Sequence, residues 1–332
     1  MPKRHKDQRA VPSGRTFKGG WGAAAAIGTA ALAGLAIYNR SRTLRTQQRH
    51  PALGRLVQVD GVNVHVIDRG QGPALVLVHG NGTSVEDWAA SGLLDRLAAT
   101  HRVIAIDRPG YGYTDRPRTT LWTPAAQAAL IGRVLRILGV ERPVVVGHSF
   151  GTLVAVALGL GRDPEVAGLV LLSGYYYPSV RVDVLVGAPP AIPLIGDVLR
   201  HTLSPVMGAA TFRGVAAGLF APAELDERFM TANRDLALRP SQIRAEAADA
   251  ALMVPSAVGL AKRCTDLAMP VGIAAGDGDL LVDATDESER LHRELPGSLF
   301  RRIAGAGHMV HYSHQDELVE LIADVVARAK AA

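Results

Sequence analysis

The sequence predicts an α/β fold: a mostly parallel, doubly wound sheet, with a helical cap inserted before the strand at Pro270–Ala275. Three observations predict it. From Ala74 to Leu172, short apolar runs rich in Val, Ile and Leu alternate with helically spaced segments, the pattern of parallel strands joined by crossover helices. Between Tyr175 and Arg263 the alternation stops, and eight prolines separate helical pieces with no strand among them. Third, Val144-Val145-Val146-Gly147-His148-Ser149-Phe150-Gly151-Thr152 runs from a buried-strand pattern, through a serine flanked by glycines, into a Leu/Ala/Val helix.

The chain opens on a tail of different character. Residues 1–50 carry ten Lys/Arg against Asp7, a net +9, whereas the remaining 26 basic and 30 acidic residues leave the body at −4. The mildly acidic body has no basic footprint, which excludes nucleic acid as a partner. Between Lys18 and Arg40 lies an uncharged run from Trp21 to Asn39, rich in Ala and Gly. As a helix it would extend about 28 Å, close to the hydrocarbon thickness of a bilayer. Trp21 and Tyr38 stand at its ends, where interfacial aromatics belong. The expectation is a single membrane-spanning anchor and a lipid bilayer as partner. Both flanks are basic, so charge does not set its orientation. A cleaved signal peptide and a surface helix are the competing readings. Against cleavage, the basic region is long and the run continues past Ala31-x-Ala33 without a polar break.

The body begins with strand-like alternation. Leu56–Val59 and Val62–Ile67 flank Asp60-Gly61, a hairpin signal. Ala74–Val78 reads as a buried strand, Trp88–Ala99 as a helix and Val103–Asp107 as the next strand. Pro124–Leu138 has helical spacing, with Thr123 as N-cap and Pro124 at the first helical position. The strand before Ser149, a helix to about Leu160 and a strand over Val166–Leu172 follow. The cap is expected over residues 175–263, with a helix near Leu225–Ala237. Beyond it come Pro270–Ala275 (strand), Ala284–Glu294 (helix), Leu299–Ile303 (strand) and Glu317–Ala327 (helix). Cys264 is the only cysteine, which excludes an intrachain disulfide and a Cys-based metal site.

Serine is a weak nucleophile until a base takes its proton and a carboxylate orients that base. Candidates for both partners follow strands. Gly276-Asp277-Gly278-Asp279 comes after one, and Gly305-Ala306-Gly307-His308 after the last. His308, His311 and His314 form a His-x-x-His-x-x-His series with no carboxylate pattern around it, so no metal is expected. His311 and His314 are read as surface or pocket-edge residues. Tyr175, Tyr176 and Tyr177 stand where core gives way to cap. Tyr175 and Tyr176 are candidates for the substrate pocket, with packing as the competing role.

Five motifs in register make the chain resemble the serine-hydrolase, esterase- and lipase-like branch of the α/β-hydrolase superfamily. They are His79-Gly80-Asn81-Gly82 with Trp88 downstream, Asp107-Arg108-Pro109-Gly110-Tyr111-Gly112, the Ser149 turn, Gly276-x-x-Asp279 and Gly305-x-Gly307-His308. The resemblance covers Leu56 to the C-terminus apart from the cap. It implies Ser149 as nucleophile, His308 as general base and Asp279 as orienting acid, with Asp277 as the alternative acid. It also implies an oxyanion hole from the backbone N–H groups of Asn81 and Phe150. The implied activity is hydrolysis of carboxylic esters or thioesters, of hydrophobic acyl type, without cofactor or metal. Carbon–carbon bond hydrolases and cofactor-free perhydrolases use the same three residue types and stay open. A non-enzymatic membrane scaffold is the reading outside enzymology, and the complete set of three residues argues against it.

Overall fold

The structure, a computed structural model, describes residues 20–179 and 188–331. The basic residues from Lys3 to Lys18, the Trp21 side chain and cap residues 180–187 lie outside it.

Strands β1 (Arg55–Val59) and β2 (Val62–Arg69) form the expected hairpin, with Asp60 and Gly61 both at positive φ in its tight turn. Next come β3 (Ala74–Val78), β4 (Arg102–Ile106), β5 (Val144–His148), β6 (Gly168–Leu172), β7 (Val271–Gly276) and β8 (Leu299–Ile303). They build one eight-stranded sheet in the order β1-β2-β4-β3-β5-β6-β7-β8. Strand β2 is antiparallel to both neighbours, and every pairing from β4 to β8 is parallel. Strands β5 and β6 are buried along their whole length, as parallel strands covered on both faces must be.

Alternate residues of one strand therefore enter different cores. Leu75 and Leu77 of β3 pack with Trp88, Leu93 and Leu321. Val76 and Val78 face the other core, with Leu130, Val134 and Leu153. The helices supplying these contacts are α2 (Val85–Ser91), α3 (Leu93–Ala98), α4 (Pro124–Ile137), α5 (Phe150–Gly159) and the C-terminal helix described below. The single helix expected from Trp88 to Ala99 is broken in two. Gly92, at φ 88°, ends α2 in a left-handed cap and starts α3.

Between β6 and β7 lies the cap: α6 (Ile195–His201), α7 (Leu203–Phe220), α8 (Glu227–Ala237) and α9 (Pro240–Leu260). Helix α9 runs through Pro255, a residue read from sequence as a breaker. Burial of Ala245, Ala247, Ala250, Met253 and Ala257 on its inner face outweighs the missing hydrogen bond. After β7 come α10 (Arg290–Glu294), α11 (Val310–Ser313) and α12 (Gln315–Ala331).

Helix α1 (Gly20–Arg49) continues ten residues beyond the Asn39 boundary that charge alone suggests. The cap stabilises the extension. Asn39 Nδ2 donates to His201 O (3.0 Å) and Thr202 O (2.7 Å), and Arg49 pairs with Asp235 at 2.9 Å.

Candidate active site

The parallel strands point their C-terminal ends to one edge, and the loops there carry the candidate side chains. Ser149 follows β5 at φ 52° and ψ −123°, a strained conformation held in place from below by Ser149 N–H donating to Leu172 O at 2.9 Å. The flanking glycines are steric necessities. A Cβ on Gly147 would lie 2.7 Å from Gly151 O, and one on Gly151 would lie 2.3 Å from Val78 O.

His308 leaves β8 on a tight glycine loop and meets the acid that follows β7. Its Nδ1 lies 2.7 Å from Asp279 Oδ2, with both side chains buried. The other Asp279 oxygen accepts the backbone N–H groups of Leu281 (2.8 Å) and Val282 (3.0 Å). Nδ1–H thus donates to the carboxylate and leaves Nε2 as the basic nitrogen. Asp277, the alternative acid, is exposed and accepts the Gly305 N–H at 2.7 Å, a turn contact away from His308.

The loop after β3 passes over the serine: a side chain on Gly80 would begin 3.1 Å from Ser149 Cβ. Burial, reinforced by the neighbouring Arg108, holds the His79 imidazole down at about 4, so the ring is neutral at working pH. Its Nε2 accepts the Arg108 N–H (3.0 Å), and its Nδ1–H donates to Gly80 O (2.8 Å). Arg108, wholly buried, donates Nε–H to His79 O (2.9 Å) and Nη2–H to Gly80 O (2.8 Å). The Asp107–Gly112 motif therefore braces the loop that carries Asn81.

Ser149, His308, Asn81 and Tyr175 line one cavity of about 470 Å³ beneath the cap, walled by apolar residues such as Phe212, Phe229 and Met253. Tyr176 does not join them. It is 1 % exposed and points into the core, and its N–H donates to Glu287 at 2.6 Å. A pocket role for Tyr176 is thus corrected to packing: Tyr175 turns toward the cavity and its neighbour turns away.

Two features were not read from sequence. Glu246, on α9, lines the cavity beside Gly82, and burial together with Asp249 raises its carboxyl to about 7. Asp249, one turn further on, is fully buried and binds Arg108 in a short ion pair and Arg116 at 2.7 Å. The hint in the sequence is a pair of acids in an alanine-rich cap helix.

The three histidines of the series go separate ways. His314 bonds Ser313, while His311 is completely buried rather than at the surface, with Nε2 2.9 Å from Asp87 Oδ2. Asp87 also takes Tyr312 Oη–H at 2.9 Å and Asn233 Nδ2–H at 3.4 Å. Asp87, His148 and His311 each offer an atom within 4.8 Å of the others. Asp87 accepts from all three of these donors and so ties His311, Tyr312 and Asn233 into one hydrogen-bonded brace. Burial, with His311 beside it, keeps His148 well below the usual histidine range; its Nε2–H donates to His308 O at 3.1 Å.

Comparison with known proteins bears on this geometry. The sequence profile of the alpha/beta hydrolase fold matches residues 73–315. The chain belongs to the α/β hydrolase fold family. A curated relative, 2-hydroxymuconate semialdehyde hydrolase of Pseudomonas sp. (strain CF600), is 32% identical over 152 residues, 45% of this chain and 54% of the relative. This α/β hydrolase spans about half the length of the first curated relatives it matches. Among solved structures, an α/β hydrolase fold protein from Burkholderia ambifaria superposes with a TM-score of 0.70 at 22% identity, covering 82% of this chain and 97% of that one. The esterase RhEst1 from Rhodococcus sp. ECU1013 gives 0.64 at 24% identity over 83% and 98%. At those identities the likeness concerns the fold.

Proposed function

We propose that this α/β hydrolase cleaves carboxylic esters or thioesters of apolar acids through an acyl-enzyme on Ser149, His308 and Asp279. One observation carries the reading: a strained serine and a histidine bonded to a buried carboxylate line the same apolar cavity. His308 Nε2 takes the Ser149 hydroxyl proton as Oγ bonds to the substrate carbonyl carbon. The carbonyl oxygen becomes an oxyanion, received by the N–H groups of Asn81 and Phe150, which meet no acceptor among the described residues. Collapse breaks the bond to the leaving group, which departs with the proton from His308. Water then attacks the acyl carbon, gives its proton to His308, and the acid leaves as the proton returns to Ser149. Asp279 stabilises the imidazolium in both halves. No cofactor takes part in this sequence.

A second reading, cleavage of a carbon–carbon bond, is favoured by the likeness to the semialdehyde hydrolase. The muconate in that name is an anion. Here the described cavity lining holds the carboxyl of Glu246 and no Lys or Arg, which favours the neutral ester. We further propose that α1 anchors the enzyme in a bilayer as a single span. The helix is long and apolar enough to cross, and all but a small share of its apolar window is uncovered by protein.

Labelling by a fluorophosphonate, then turnover across p-nitrophenyl esters of rising acyl length, tests the assignment. Wild-type protein should label and prefer longer chains, and Ser149→Ala should do neither. Labelling undiminished in Ser149→Ala would overturn the acyl-enzyme.

A further inference from the structure

Helix α7 has an uncovered side that the fold leaves unexplained. Leu203, Val206, Met207, Ala210, Gly214 and Ala217 recur at helical spacing and are exposed, with Met207 at 66 %. Arg213 is the one charged residue in these 18; three residues from Ala210 and seven from Val206, it borders the stripe, where it pairs with Glu227 at 2.8 Å. Among the described residues, α7 and α1 are the two helices long and apolar enough to cross a membrane, and α7 too is largely uncovered. Just before α7, Leu194, Ile195 and Val198 add exposed apolar surface. Lone exposed apolar residues are ordinary in soluble proteins, but a continuous uncharged stripe is not.

The position of α7 says what covers it. Asn39, where the uncharged run of α1 ends, is pinned to the carbonyls of His201 and Thr202, and Thr202 immediately precedes α7. The start of α7 therefore sits where α1 leaves the bilayer. Its other end reaches the reactive centre. Leu219 O accepts the His308 N–H at 2.9 Å, about 26 Å along the helix from Thr202. Between the two ends, Thr211 and Val215 are exposed and also line the cavity, so the mouth of the cavity opens along this helix.

We propose that α7 lies in the membrane interface with its Leu203–Ala217 stripe among the lipid chains, and passes apolar esters from the bilayer into the cavity. This rests on the reading of α1 as an anchor. The anchor fixes the height of the molecule above the membrane, and α7 turns the cavity mouth toward the lipid. Short, water-soluble esters reach the same cavity without that contact.

The test uses the full chain in vesicles of neutral and anionic phosphatidyl lipids at 3:1. Cys264, the only cysteine, is buried, so Met207→Cys supplies a single accessible thiol for an environment-sensitive nitrobenzoxadiazole label. The label should shift to the blue on vesicle binding and be quenched by nitroxide-bearing lipids. In parallel, Val206→Asp/Met207→Asp should cut hydrolysis of a long-chain ester embedded in the vesicles at least tenfold. It should leave a soluble acetate ester within twofold, since neither side chain lines the cavity. Retention of the protein on vesicles after carbonate washing, with the label still in a water-like environment, overturns the α7 contact alone. Release of the wild-type protein by that wash overturns the anchor beneath it. A lipid-independent blue shift that grows with protein concentration, together with disulfide-linked pairs in the unlabelled Met207→Cys protein, would show a second copy on this face and overturn the proposal. Equal losses on both esters would also overturn it, as damage to the fold.

Discussion

Removing the carboxylate of Asp249 should destabilise the protein more than any single change on its surface. Asp249 is 0 % exposed and is reached by Arg108 Nη1, Arg116 Nη2 (2.7 Å), Gln127 Nε2 (3.2 Å) and Tyr111 Oη (3.1 Å). Asp249→Ala strands two guanidinium groups that stay buried by their other contacts: Arg108 against the Tyr111 and Phe150 rings, Arg116 against Pro109 O. Breaking a buried pair from one side costs about 3–5 kcal/mol. At 1.4 kcal/mol per tenfold, that is a fall of about 150-fold or more in the folding constant. Asp249→Asn keeps an acceptor for part of this set and should lose about 1–3 kcal/mol.

Urea unfolding of the detergent-solubilised chain, followed by tryptophan fluorescence at low and high salt, reads both numbers. The loss should be insensitive to salt, because ions do not screen a pair this deep. Arg49→Ala, which removes a surface partner of Asp235, should cost under about 1 kcal/mol and less still in salt. Since Arg108 also holds His79 O and Gly80 O, Asp249→Ala should lower kcat on a soluble ester by about tenfold to a hundredfold with little change in KM. A stability loss below about 1 kcal/mol, or a change in KM alone, would refute the idea that Asp249 braces the Asn81 loop through Arg108.

Asp279→Asn should cut kcat by about 10⁴, the usual cost of losing the orienting carboxylate, whereas Asp277→Asn should cost a few-fold at most. The reverse order in steady-state kinetics would move the acid to Asp277. Glu246, with a carboxyl raised to about 7, keeps in the folded state a proton that the unfolded chain releases near 4.5. Folding stability should therefore fall as pH rises from 4.5 to 7 on its account. Thermal denaturation should show Glu246→Gln matching wild type at pH 5 and melting higher at pH 8, and equal melting at pH 8 would refute the raised carboxyl.

The sheet and the side chains that meet in the candidate site were legible in sequence because each rests on a short-range rule. Strand β5 is apolar on both faces, Gly147 and Gly151 answer local clashes, and His308 follows its strand by five residues. What sequence left open depends on pairings over long separations. Asp249 meets Arg108 across 141 positions and His311 meets Asp87 across 224, and nothing near either acid announces a partner. Tyr175 and Tyr176 are adjacent and chemically alike, so only the direction of the chain leaving β6 separates cavity from core. Helix α1 runs on past the uncharged stretch over 21–39 for a reason the local sequence does not carry. Arg42 and Arg49 sit beside Asp235 of the cap and prolong the helix.

These contacts also constrain how the cap opens. On the α9 side, lifting it from the core would draw Asp249 away from two buried guanidinium groups, several kcal/mol at once. It would also loosen the Asn81 loop, since Asn81 Nδ2 donates to Glu246 O at 3.2 Å and Tyr111 hydrogen-bonds the Asn81 side chain. A lid hinged there would disassemble the proposed oxyanion site each time it moved. Helix α7 has no buried ion pair among the described residues. Its outer stripe is bare, and Gly214 and Gly218 have no neighbour within 4 Å of where a Cβ would stand. Substrate entry past the first turns of α7, as proposed, leaves in place both the ionic joint at α9 and the Leu219–His308 contact at the far end of α7, which divides access from those two joints. That division predicts that a disulfide locking α9 to the core should leave turnover of short and long esters unchanged. A loss of long-chain turnover in the oxidised form, restored on reduction, would place the moving part at α9 instead.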